Sequence, residues 1–99
     1  MTYCAEGERS RFINGLRDLA EFLESNPGVP APSGGATIHV FPPESSNAER
    51  RTEIDVIASR VSAQAREFTP GHYVASRCFG PVEYRAVAID RDADDSGGE

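Results

Sequence analysis

The first hydrophobic pattern is helical. Between Arg9 and Glu24 the large apolar residues fall at Phe12, Leu16, Leu19 and Leu23, with Ile13, Ala20 and Phe22 widening the stripe. Spacings of three and four keep such residues on one face of an α-helix. Arg17, Asp18, Glu21 and Glu24 then take the outer face. Ser10 is the expected cap, and Asn26-Pro27-Gly28 the stop, because proline disfavours helical geometry in the residue before it. Gly15 is the weak point of this helix, at about 1 kcal/mol against alanine.

The next patterns alternate. Ala36 to Phe41 reads as a strand with Ile38 and Val40 on one face, stopped by Pro42-Pro43. Ser46-Asn47-Ala48-Glu49 is a capping box that opens a second helix. Its predicted inner stripe is Ile54, Ile57, Ala58 and Val61, and its outer face Glu49, Arg50, Glu53 and Arg60. A short strand over 65–69 precedes the turn Pro70-Gly71. His72–Phe79 and Val82–Ile89 then form a hairpin around Gly80-Pro81, with Val74 opposite Val87, Ala75 opposite Ala86 and Arg77 opposite Tyr84. Both hairpin faces are half apolar, so the pattern leaves open which one meets the helices.

These elements run α-β-α-β-β-β. The predicted fold is α+β: a two-layer sandwich with two helices packed on one face of a three- to four-stranded mixed sheet. The strand–helix–strand unit is expected to cross over right-handed, and the last three strands to form an antiparallel meander. The expected organisation is a loose leader over 1–8, one domain over 9–89 and a disordered acidic tail over 90–99. The connection over 27–35 carries three Pro and three Gly. Its glycine pair precedes a strand, whereas a phosphate loop follows one, so it is read as a surface connection.

Ninety-nine residues suit one small domain. The net charge of −6 is concentrated at the end: Asp90, Asp92, Asp94, Asp95 and Glu99 face only Arg91 there. The rest of the chain is nearly neutral, and every basic residue is Arg. With no apolar run long enough to span a bilayer and no signal-peptide pattern at the start, a cytoplasmic location with no membrane association is expected.

The segments Gly15-Leu16-Arg17-Asp18-Leu19-Ala20-Glu21-Phe22-Leu23, Thr37-Ile38-His39-Val40-Phe41, Gly71-His72-Tyr73 and Phe79-Gly80-Pro81-Val82-Glu83-Tyr84-Arg85-Ala86-Val87-Ala88-Ile89 carry a resemblance. Between Phe12 and Ile89 the chain resembles a group of small proteins of actinobacteria and their phages. The group has no established activity, so the resemblance implies a source and a mobile-element context but carries over no functional residue.

The residues that carry chemistry are few. Cys4, Cys78, His39 and His72 are the only soft metal ligands, and their scatter does not match the paired spacing of a zinc site. His72 and Cys78 lie six residues apart along one strand, about 20 Å and too far for a nucleophile and its base. A Cys4–Cys78 disulfide is disfavoured in the absence of an export signal. Glu49, Glu53 and Asp55 beside Arg50 and Arg51 read as a solvated helix face. No catalytic residue, metal site or cofactor is therefore assigned.

The most informative cluster is Tyr73, Arg77 and Tyr84, with Phe79, on one hairpin face. Tyr and Arg dominate interface hot spots because they combine large area with a polar handle. The expected function is a non-enzymatic protein-interaction module with Tyr73, Arg77 and Tyr84 as partner-binding residues on an uncovered sheet face. The partner is another protein or a second copy; regulation or inhibition of a host protein is what a mobile-element origin implies. One alternative is a nucleic-acid platform built from the same aromatics and Arg, which the negative charge opposes. The other is a small Cys/His enzyme or metal protein.

Overall fold

The computed structural model describes residues 3–43 and 45–91. Its elements are α1 (Glu6–Ser25), β1 (Ala36–Val40), α2 (Asn47–Arg60), β2 (Arg66–Thr69), β3 (His72–Phe79) and β4 (Val82–Ile89). The fold is α+β, with a four-stranded mixed sheet and the expected order of elements. The chain divides into two compact units. One runs from Cys4 to Gly35 and contains α1. The other runs from Ala36 through Arg91, contains the sheet and α2, and includes Tyr3.

In the sheet unit the strands lie in the order β1-β4-β3-β2. β1 pairs with β4 in parallel, while β2, β3 and β4 form the antiparallel meander. The hairpin register is the one that the sequence predicts: Val74 opposite Val87, Ala75 opposite Ala86 and Arg77 opposite Tyr84. A two-residue loop, Gly80-Pro81, fixes that register. Gly80 sits at φ +62°, where a side chain would strain the backbone, and Pro81 brings the negative φ that completes a turn matched to strand twist. β2 is irregular, with its register shifting between Glu67 and Thr69.

α2 packs on β3 and β4. Its buried side chains Ile54, Ile57 and Ala58 meet Ala75, Ala86 and Ala88, with Val40, Val61, Ala65, Tyr73 and Tyr84 half-buried around them. The alanines settle which sheet face is inward. Small side chains let the helix sit close to the strands, and Ile54 fills the space between at 0% exposure. Helix capping is as predicted: Ser46 Oγ accepts from the Glu49 N–H at 3.1 Å, and Glu49 Oε1 accepts from the Ser46 N–H at 3.1 Å.

In the other unit, α1 starts three residues before the predicted position, within the expected leader. Glu8 Oε1 accepts from the Ala5 N–H at 2.9 Å, which orders the first turn and leaves Ser10 inside the helix instead of capping it. Asn26 Nδ2 donates to the Phe22 carbonyl at 2.8 Å and closes the far end. No side chain of α1 is buried.

The expected acidic tail begins with two residues that hold structure. The Asp90 N–H donates to the Gly71 carbonyl at 2.8 Å, and the Arg91 N–H donates to Asn47 Oδ1 at 3.0 Å. Residues 92–99 of the tail lie outside the described residues.

Candidate interaction surface

The face chosen from the sequence is the face that α2 covers. Tyr73 shares it with Ala75, and Tyr84 with Ala86 and Ala88, so both rings pack against the core. The expectation that Tyr73, Arg77 and Tyr84 lie on an uncovered face is therefore corrected. Its cause is the even distribution of apolar residues between the two hairpin faces. Tyr73 is held at both ends: its hydroxyl donates to Asp55 Oδ1 at 2.6 Å, and the Arg51 guanidinium lies 4.9 Å from its ring centroid. That bond to Asp55, with burial second, pushes the Tyr73 hydroxyl pKa up. Arg77 alone of the three is exposed, stacked over Phe79 at 5.0 Å near the hairpin tip. Register brings Arg77 and Tyr84 together; Tyr73 stands at the other end of β3.

Arg51 and Arg50 are the residues that sequence reasoning placed wrongly, on a solvated helix face. Arg51 forks onto two carboxylates. It donates to Asp90 through Nε at 3.1 Å and Nη2 at 2.8 Å, and to Glu67 through Nη1 and Nη2, both at 3.1 Å. The bonds to Asp90 first, then to Glu67, raise its pKa, so its charge is fixed. Glu67 also accepts from the Gly71 N–H at 2.9 Å. One cation thus joins α2, β2, the β2–β3 turn and the end of β4.

Arg50 lies deeper, at 3% exposure. It donates to the Ser45 carbonyl, to Asn47 Oδ1 and, at 3.2 Å, to the Ile89 carbonyl. The adjacency of two Arg in the first turns of a capped helix was a readable signal. Arg50 points inward to the Ser45 and Ile89 carbonyls, and Arg51 collects carboxylates at its flank.

The opposite sheet face carries polar ladders and one aromatic cap. Glu83 accepts from Thr37 Oγ1 at 3.1 Å and from Arg85 Nε at 3.2 Å. Burial pushes the Glu83 pKa up, but the bonds from Thr37, Arg85 and Ser76 outweigh it and hold the carboxyl below its ordinary range. Arg66 and Arg85 lie over the Phe68 ring, 5.9 and 5.0 Å from its centroid. Val74 and Val87 are buried beneath this layer.

The soft ligands do not assemble. Cys4 and Cys78 are free and exposed, His39 stacks on Phe41 at 6.1 Å, and His72 Nδ1 lies 3.0 Å from Thr69 Oγ1. Among the described residues, no three His, Cys, Asp or Glu side chains form a group able to hold a metal ion, and no helix is long and apolar enough to cross a membrane.

α1 carries an exposed apolar stripe. Phe12, Leu16, Leu19 and Phe22 are 41–55% exposed, and Ile13 and Leu23 half-buried. The sequence pattern found this stripe. No family model, curated protein or solved structure matches the chain.

Proposed function

We propose that the protein is a non-enzymatic protein-interaction module and that α1 is its recognition element. One observation carries this reading: a twenty-residue helix presents Phe12, Leu16, Leu19 and Phe22 to solvent. Most helical stability in proteins comes from packing of an apolar face, and contiguous exposed apolar patches mark sites of association. In the sheet unit α2 covers one face, and on the other Val74 and Val87 are buried while Arg66 and Arg85 lie over Phe68. Recognition therefore moves from Tyr73, Arg77 and Tyr84 to the α1 stripe. A role in regulating or inhibiting a host protein agrees with a module of this kind and rests on the phage-like resemblance.

The test places a photoreactive benzophenone analogue at Phe22 of the full chain, with Phe68 on the sheet as the control position. Irradiation is done on the purified protein across a concentration series and in host-cell extract. Protein adducts through position 22, and none through position 68, are expected. Absence of any adduct at position 22 removes α1 as a recognition element.

A further inference from the structure

The α1 stripe steps by four, three and four residues, the alternation found along a coiled-coil heptad seam. Phe12, Leu16, Leu19 and Leu23 are its knobs. The sequence around them is also symmetric in character about the point between Arg17 and Asp18. Reversing the helix about that point sets Leu16 against Leu19 and Phe12 against Leu23, with Ile13 and Phe22 at one height. The small residues Gly15 and Ala20 then lie at one height, and so do Arg11 and Glu24, and Arg17 and Asp18.

Charge gives an independent reason for the reversal. Residues 9–17 carry three Arg and no acid, and residues 18–25 carry three acids and no base. Beyond the first turn, with Glu6 and Glu8, this order opposes the helix dipole, which favours acids near the N-terminus and bases near the C-terminus. The last turn has no basic residue to offset Glu24. A parallel pair would stack Arg beside Arg and acid beside acid. An antiparallel pair sets each basic half beside an acidic half and opposes the two dipoles.

We propose that the stripe is covered by a second copy of this chain, the two α1 helices packing antiparallel about a two-fold axis between Arg17 and Asp18. This inference rests on the reading of α1 as a recognition element and names its partner. The interface is isologous, so residue 12 of one copy meets residue 23 of the other, and the assembly closes at two chains. The seam is short, so the dimer forms in a concentration-dependent way.

Sedimentation equilibrium on the full chain tests the stoichiometry: the mass doubles as concentration rises. Arg11→Glu with Arg17→Glu is expected to stay monomeric alone and to recover the double mass when mixed with the Asp18→Arg, Glu24→Arg variant. Orientation is read by disulfide trapping in a Cys4→Ser, Cys78→Ser background. A Phe12→Cys chain oxidised with a Leu23→Cys chain gives the mixed disulfide, while the Phe12→Cys chain alone gives none. A single-chain mass at every concentration, or trapping of Phe12→Cys with itself, overturns the antiparallel dimer. If Phe22 nonetheless gives an adduct with a different protein, the interaction-module reading stands and self-pairing fails. With no adduct at Phe22, both fail.

Discussion

The two helices use the same resources in opposite ways. α2, with fourteen residues, buries Ile54, Ile57, Ala58 and Arg50, and its side chains pack on β3 and β4. α1, with twenty residues and more large apolar side chains, buries none. Length and hydrophobic content therefore do not decide which helix buries its side chains. In α2 the deciding features are a complete capping box, a stripe facing three strand alanines, and two adjacent Arg that collect strand-end acceptors. In α1 the cap is half complete, because Ala5 has no oxygen to return the bond that Glu8 makes. Its apolar residues Phe12, Leu16, Leu19 and Phe22 stay exposed.

The sharpest way to break this contrast is to truncate one apolar residue on each helix. Ile54→Ala removes the fully buried knob of the core and is expected to cost about 3–4 kcal/mol. Leu16→Ala removes an exposed side chain and is expected to leave the sheet unit within about 0.5 kcal/mol of wild type. Denaturant midpoints followed through hydrogen exchange of the β3 and β4 amides measure both. Similar losses at the two positions would erase the distinction between the helices.

Arg50→Met comes next. The methionine keeps the apolar stem but removes the donors to the Ser45 and Ile89 carbonyls. Buried acceptors left unpaired cost about 1–3 kcal/mol, and these two are only part-buried, so a loss of about 1 kcal/mol is expected by the same measurement. An unchanged midpoint would mean that water or a neighbouring donor replaces the guanidinium, and that α2 is held by packing alone.

Much of the sheet unit was legible because local rules and tertiary context agree there. Ser46 and Glu49 announce the start of α2, Gly80-Pro81 sets the hairpin register, and Ile54, Ile57 and Ala58 mark the inner stripe. The inward sheet face was not legible from alternation. Tyr73, Phe79, Val82 and Tyr84 balance Val74, Cys78, Val87 and Ile89 in hydrophobicity. What distinguishes the faces is size: Ala75, Ala86 and Ala88 leave room for a helix, and residue size is invisible to a binary pattern. The misplacement of Arg50 and Arg51 has a related cause. Charge places a residue on the surface by default, and only the geometry of converging strand ends reveals acceptors that draw a guanidinium inward. Tyr73, Arg77 and Tyr84 were chosen for chemistry suited to interfaces, but in two of the three that chemistry completes the fold itself.

The smallest effect expected is a pH dependence carried by Glu67, which no residue of α1 mirrors in its bonding. The bonds from Arg51 first, and then from the Gly71 N–H, hold the Glu67 carboxyl below its ordinary value of 4.5. The folded chain therefore releases this proton more readily than the unfolded chain does. Its stabilisation is complete above about pH 4.5 and is lost as pH falls through the depressed folded value. Salt and solvent screen the pair, because Glu67 is exposed, so the effect is modest. Thermal midpoints measured from pH 7 down to about 3 should fall less steeply at the acid end in Glu67→Gln than in wild type. Identical acid limbs would show that the Arg51 clamp closes on Asp90 alone, and that β2 is held to α2 without its charge.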